Sequence, residues 1–528
     1  MKNYKGNPNK IEIYDSTLRD GAQSEGISYS LQDKLNIAQA LDRLGVTYIE
    51  AGNPGSNPKD MEFFKHIKKH PLKNAEIVAF GSTRKKGLLP KEDSNIQSLL
   101  EANTQTVAIF GKSCILQVEQ VLKVEPTENL AMIADTVGFF KNHNKKVVFD
   151  AEHFFDGYRN DSEYAIKTID CAIEAGADMV CLCDTNGGSF PSEIQDVLKN
   201  IFVVFPGVDF AIHAHNDSGV AVAASIAAVE AGALQVQGTI TGFGERCGNA
   251  NLSVIIPNLQ LKMGKCCIPE ENMELLTSTV WHIAEISNVK LNRGMPYVGK
   301  NAFTHKAGMH VDGMLKSEGC YEHINPEMVG NSRRVVMSEF AGRSLIIEKI
   351  KKIAPEIGKD SNEASMLLER IKELESRGYA FEGAEGSFEL LVMRFLGKYK
   401  DKFVLEKLNV ISEQTLISGH KAASVIVKVN VGDKSEITAA EGDGPVNAID
   451  KALRKALEAF FPEIGKMRLT DYKVRVLDSA SATGAVVRVL IESTDGEDYW
   501  TTVGVSKDII KASCKALLDS IDYKLMKG

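Results

Sequence analysis

Eight short β-rich runs recur between residues 11 and 240, each followed by a longer amphipathic stretch, and this alternation limits the fold more than any other feature of the chain. The pattern predicts strands at Ile11–Tyr14, Tyr48–Glu50, Ile77–Phe80, Val107–Phe110, Val147–Asp150, Met179–Cys183, Phe210–His213 and Val236–Thr239. Helical periodicity lies between them, as at Leu31–Leu44, Asn129–Asn142, Glu163–Ala175 and Val220–Ala231. Several of these stretches end at a glycine, Gly45, Gly176 or Gly232, where a left-handed cap is expected. Strands that alternate with helices imply a parallel sheet. Eight units in about 250 residues fit a closed (β/α)8 TIM barrel. The rival, an open doubly wound sheet, lacks a GxGxxG after the first strand.

A barrel places its chemistry where strands end. The predicted ends carry Arg19 and Asp20, Glu50, Glu152, Asp184 and Thr185, His213 and His215, and Glu245 and Arg246. Core packing alone does not ask for polar residues at so many of these ends. His213 and His215 stand at i and i+2, so on a strand both imidazoles face the same side. Asp20 follows the first strand, which closure brings near the seventh across the eighth. Two imidazoles and a carboxylate make a divalent-metal site with open positions. Asn249, after the eighth strand, offers a carbonyl oxygen as a further ligand. The set does not choose between zinc, manganese and magnesium. The plain alternatives are a helix cap for Asp20 and a turn residue for Asn249.

The formal charge is −8, with 62 basic and 70 acidic residues among 528. That balance gives no bulk attraction to nucleic acid or to an anionic membrane. The first ten residues, MKNYKGNPNK, do not read as a secretory signal. The longest apolar stretch, Gly219–Val229, is well short of the roughly 20 residues a membrane span needs. Nine cysteines without a repeating pattern read as reduced thiols of a cytoplasmic protein. The barrel is expected over residues 1–265, helical connector subdomains over 266–392 with a helix at Glu363–Arg377, and an α+β pseudo-repeat over 393–528. In the last part, a module of two strands and a helix begins near Thr415, and a second module repeats it with an extra strand.

Three runs carry a resemblance. YDSTLRDGAQS at 14–24, HAHND at 213–217 and GFGERCGNANL at 242–252 resemble signatures of the α-isopropylmalate and homocitrate synthase family, in order and spacing. RIKELESRGYAFEGAEGSFELL at 370–391 resembles that family's connector, and the C-terminal modules resemble its regulatory domain. AFGSTRKKG at 79–87, VAIFGKS at 107–113, FDAEHFFDGYRN at 149–160 and LCDTNGG at 182–188 look like the branch that uses pyruvate. The resemblance implies an acyltransferase that condenses acetyl-CoA with pyruvate and hydrolyses the thioester, giving (R)-citramalate and CoA. The other branch, with 2-ketoisovalerate as acceptor in leucine biosynthesis, is the alternative; a retro-Claisen lyase and a non-catalytic amino-acid sensor are more distant ones.

On this reading a divalent metal (Mn, Mg or Zn) is held by Asp20, His213, His215 and Asn249. Arg19 binds the keto acid and stabilises the developing alkoxide, with an ion pair to Glu50 as its structural alternative. By resemblance Glu152 lies near the acetyl group and Thr185 binds the keto-acid carboxylate. THKAGMHVDG at 304–313 resembles a segment that reaches into the site. It makes His310 the candidate base, Asp312 its orienting or substrate-binding partner, and Tyr321 a secondary catalytic candidate. Arg84, Lys85 and Lys86 could meet CoA phosphates, with a solvated basic loop as the plain reading. A homodimer and an isoleucine effector are expected of the C-terminal part. The turn at 442–445 and the run Val503–Ser506 are read there as corresponding effector loops.

Overall fold

The computed structural model describes residues 9–305, 313–314, 317, 319–335, 349–358, 361–381, 383–412, 423–477, 484–496 and 498–528. They form two compact units, Met1–Phe303 with Glu322–Arg333, and Thr304–Tyr321 with Arg334–Gly528.

The first unit is built on a closed barrel of eight parallel strands in sequential order. The strands are β1 (Glu12–Asp15), β2 (Tyr48–Glu50), β3 (Glu76–Ser82), β4 (Thr106–Lys112), β5 (Lys146–Glu152), β6 (Met179–Asp184), β7 (Phe210–Ala214) and β8 (Gln235–Gly238). β1 pairs with both β2 and β8, which closes the cylinder. The helices between them carry local stop and start signals. Ser30 and Asp33 form a reciprocal capping box at the head of Leu31–Leu44, and Gly45 ends that helix at φ 95°. Strands β3, β4 and β5 run two residues past their expected ends, because Lys112 and Glu152 continue the ladder although neither is apolar.

The pleat sorts the strand side chains. The inside of the barrel is filled by Tyr14, Val78, Ala108, Val148, Met179 and Cys181, among others. The alternate residues, such as Ile13, Phe149 and Phe210, pack outward against the helices in one large core. On β5 and β7 the inward positions turn polar toward the C-terminal end: Val148, Asp150, Glu152 on β5, and Ala211, His213, His215 on and just past β7. All nine cysteines are free thiols. Among the described residues no helix is long and apolar enough to cross a membrane.

In the second unit, β9 (Thr304–His305) pairs with β10 (Arg334–Val335). Two three-stranded antiparallel sheets follow, β11 (Val404–Ser412), β12 (Ala423–Val431), β13 (Lys434–Gly442) and β14 (Arg468–Val476), β15 (Val487–Thr494), β16 (Tyr499–Ser506). Each is closed by one helix, Pro445–Glu458 or Ile509–Lys527. The first module therefore has three strands rather than two, and it starts at Val404, ahead of Thr415. β11 is an edge strand with mostly exposed side chains, so it lacks the apolar alternation that marks its neighbours. Thr415 lies outside the described residues. The helix Asn362–Ser376 stands where one was expected and, with Glu385–Phe395, shares a core with Val503 and Val505 of β16.

A second correction concerns Val503–Ser506. These residues are not a turn but the end of β16, and the helix that follows is capped by Asp508, whose side chain accepts from the backbone N–H of Ile510 and Lys511. Gly504 is required there by close approach, since a Cβ on it would lie 1.9 Å from the carbonyl oxygen of Ala512. Gly504→Ala should therefore push the last helix off its sheet, at a cost of about 1–3 kcal/mol. Hydrogen exchange should show faster exchange in Ile509–Lys527 while the barrel amides keep their protection. Equal protection in both would mean that the sheet and helix have more room than the structure gives them.

Candidate active site

The site begins with a buried carboxylate. Glu50, at the end of β2, is fully buried and accepts from Tyr14 Oη at 2.7 Å, from Ser16 Oγ at 2.7 Å and from Arg19 Nε. These donors come from β1 and the turn after it. The guanidinium of Arg19 lies over the ring of Phe80, 3.8 Å from its centre, and Nη1 reaches Asp20 Oδ2 at 3.2 Å. Burial opposes the charge on Arg19, but Glu50 and Asp20 outweigh it and hold the guanidinium protonated. The ion pair to Glu50 considered as an alternative thus exists, and it is what aims Arg19 at Asp20.

Asp20, His213 and His215 converge. Each is buried, and their ligand atoms fall within 4.8 Å of one another. Nε2 of His213 and of His215 face Asp20 Oδ2 at 3.7 and 3.8 Å. Asp20 makes no capping hydrogen bond to the turn after it, so the helix-cap alternative does not hold. Burial raises the Asp20 carboxyl, but Arg19 and the two imidazoles bring it down to about 2. Burial lowers both histidines, His215 to about 4 with the help of neighbouring His213. The set is thus a carboxylate and two neutral imidazoles at neutral pH, the protonation state a metal requires.

Two further features fit a cation. Asn249 donates through Nδ2 to Asp20 Oδ1 at 2.9 Å and to the carbonyl of Phe243 at 3.0 Å, which fixes the amide. Its Oδ1 is then left buried without a hydrogen-bond partner. A buried acceptor in that state costs about 1–3 kcal/mol, and a cation would satisfy it. Nδ1 of His213 pairs with Gln237 Oε1 at 3.1 Å, and Gln237 Nε2 donates to Asp150 Oδ1 at 3.0 Å. An amide oxygen can only accept, so Nδ1 carries the proton and Nε2 keeps its lone pair toward Asp20. Gln237 and Asp150 were not among the expected site residues. Each is a polar residue at an inward-facing position, but β8 carries Gln235 on the same face and β5 carries Glu152, so spacing alone does not single them out.

The remaining expected residues fall at the same mouth or outside the description. Glu152 and Thr185 line the cavity of about 240 Å³ that also holds Asp20 and the histidines. Glu152 pairs with Lys112 at 2.6 Å, a partner the sequence reading did not name. Thr185 Oγ1 accepts from the backbone N–H of His153 at 2.8 Å. Asp184 is buried and turned back on its own loop, bonded to Ser189. Arg246 keeps an ion pair to Glu245 at 3.7 Å and grips Asp217 with two contacts of 2.8 Å and the carbonyl of Thr185 with a third. Phe80 and Phe110 stack at 5.1 Å and form an aromatic wall of the cavity. His310 and Asp312 lie outside the described residues. Tyr321 belongs to the second unit and is 46% exposed.

Three family models match consecutive stretches: HMGL-like over residues 10–285, homocitrate synthase post-HMGL domain-like over 297–378, and LeuA allosteric (dimerisation) domain over 382–525. The chain is 51% identical to an (R)-citramalate synthase of Aquifex aeolicus over 98% of each sequence, and 47% identical to that of Geobacter sulfurreducens over 98% of each. A 2-isopropylmalate synthase of Methanocaldococcus jannaschii is 33% identical over 98% of this chain and 96% of its own. With relatives this close along almost its whole length, and a barrel model over more than half of it, the chain belongs to the (R)-citramalate synthase family.

Proposed function

We propose that the protein is an (R)-citramalate synthase, an acyltransferase that condenses acetyl-CoA with pyruvate and hydrolyses the adduct to (R)-citramalate and CoA, in isoleucine biosynthesis. The observation that carries this is the convergence of Asp20, His213 and His215 beside Arg19 at the barrel mouth, in a chain about half identical to citramalate synthases. Asp20, His213, His215 and Asn249 Oδ1 would hold a divalent cation, Mn, Mg or Zn, which supplies Lewis-acid polarisation of a keto oxygen.

The chain's own groups supply the rest. Arg19 uses Nε and Nη1 on Glu50 and Asp20, so Nη2 remains to donate to the keto oxygen as negative charge grows there. Thr185 spends an oxygen lone pair on the N–H of His153, which leaves its O–H free to donate to the pyruvate carboxylate. Glu152, held by Lys112, faces the acetyl group. His310 takes the methyl proton, Asp312 orients it, and Tyr321 assists. Condensation needs the base and the electrophile together, so the connector over 266–392 joins the barrel over 1–265 in catalysis, in a cytoplasmic homodimer. Residues 393–528 bind isoleucine as effector.

The smaller acceptor is supported by the relatives, since the citramalate synthases are about half identical to this chain and the 2-isopropylmalate synthase a third. One or two methylenes are worth about 1–3 kcal/mol, so pyruvate should exceed 2-ketoisovalerate in kcat/KM by roughly ten- to two-hundredfold. Thiol release measured with both acids decides this, and a preference for the branched acid would move the protein to the isopropylmalate branch. The same assay with added isoleucine, leucine or valine reads the effector.

Asp20→Asn, His213→Ala and His215→Ala should each abolish condensation and weaken Mn²⁺ binding in calorimetry. Gln237→Leu should fold, keep all ligands, and still bind Mn²⁺ roughly ten- to a hundredfold more weakly, because His213 loses the partner that sets its tautomer. Unchanged affinity in Gln237→Leu would show that His213 needs no such partner.

Arg19→Lys should lose most of kcat with a smaller change in KM for pyruvate, because an ammonium cannot hold Glu50 and Asp20 and still donate to the substrate. A change confined to KM would reassign Arg19 to ground-state binding.

A further inference from the structure

Strand β6 sends two cysteines into the barrel. Cys181 and Cys183 stand at i and i+2 on this fully buried strand, so both side chains face inward. Asp150 of β5 is the cross-strand partner of Cys181 and faces the same interior. The two sulfurs and a carboxylate oxygen of Asp150 all lie within 4.8 Å of one another, and all three residues are buried. Both thiols are free. The cysteines share this interior with Tyr14, Val78, Ala108, Val148 and Met179, so most of the surface around them is apolar.

The donor set differs in kind from Asp20, His213 and His215. Thiolates are soft donors and select thiophilic ions. Magnesium and manganese favour oxygen ligands and retained water, which an apolar interior does not support. Charge narrows the choice further. Two thiolates and a carboxylate are three negative groups, and buried charge is costly unless it is paired. A divalent ion leaves one of these charges uncompensated, whereas a monovalent ion leaves two. Access is provided by the reaction cavity: Asp150 and Cys183 both line it, so an ion there meets two of the three donors at once. Asp150 Oδ1 also accepts from Gln237 Nε2 at 3.0 Å, and Gln237 Oε1 faces His213 Nδ1 at 3.1 Å, so a single amide joins this set to the first.

We infer that Asp150, Cys181 and Cys183 form a second cation site, selective for a thiophilic divalent ion of the zinc and cadmium kind and separate from the site formed by Asp20, His213 and His215. On binding, each thiol gives up its proton as its sulfur bonds the ion, and both protons pass to solvent. The site is independent of the proposed function, since it rests on this donor set alone.

The test uses the full-length reduced protein with Mn²⁺ in excess and Cd²⁺ as the probe, read by the ultraviolet sulfur-to-cadmium charge-transfer band. The background variant Cys247→Ser/Cys266→Ser/Cys320→Ser removes the exposed thiols. It should show a band that saturates at one Cd²⁺ per chain, and adding Cys181→Ser/Cys183→Ser should abolish that band. Excess Zn²⁺ should displace the cadmium, and excess Mg²⁺ should not. A band that survives the loss of both β6 sulfurs, or no band in the background variant, overturns the site. Displacement by Mg²⁺ as readily as by Zn²⁺ overturns the thiophilic selectivity. Circular dichroism checks that the β6 variant folds. If it does not, X-ray absorption at the cadmium edge of the background variant decides: two sulfur neighbours per cadmium support the site, and one or none overturns it.

Discussion

The carboxylate of Glu50 is the point on which the mouth of the barrel depends. It is buried without access to water, and a charge in that position is tolerated only if its lone pairs are filled. Tyr14, Ser16 and Arg19 fill them, and all three come from the run that contains the first strand and its turn. Removing the charged member, Arg19, leaves an uncompensated buried charge, at a cost of about 3–5 kcal/mol. The pairing therefore fixes more than stability. It sets where the guanidinium of Arg19 lies, and through Arg19 and the turn that follows it sets the position of Asp20.

From that point the site is assembled by the strand pleat. Alternation puts Asp150 and Glu152 on one inward face and His213 and His215 on another, and barrel closure brings β1, β8 and β7 side by side. Gln237 is in register with Tyr14 on one side and His213 on the other. It can therefore orient an imidazole from a strand that contributes no ligand. The electrostatics follow from the same packing. Burial keeps the imidazoles neutral, while the surrounding positive charge keeps Asp20 ionised.

Much of the barrel was legible in the sequence because period-two and helical patterns alternate cleanly over the first half of the chain. The helix Leu31–Leu44 coincides with its expected bounds, since a capping serine and a glycine mark both ends. Strand ends were read short where polar residues such as Lys112 and Glu152 extend the ladder, because hydrogen-bond pairing leaves no mark in hydropathy. The same reason hid β11, an edge strand with little buried surface. Among site residues, the ligand types and Arg19 stood out through their spacing. Gln237, Asp150 and Lys112 did not, because an amide or an ion-pair partner acts through a neighbour on another strand, and one sequence does not record which neighbours meet. Val503–Ser506 was misread as a loop because a glycine that relieves contact between a sheet and a helix looks like a glycine that makes a turn.

The latch made by Arg246 has a consequence for the thermodynamics of substrate capture. Its guanidinium ties the segments after β6, β7 and β8 together through Thr185 and Asp217, before any ligand arrives. Loops that order only on binding lose conformational entropy at that moment, and the loss is subtracted from affinity. Here that ordering is completed during folding. The rim on this side of the barrel meets its substrate already immobilised, so binding free energy gained there is left for orienting the reacting atoms.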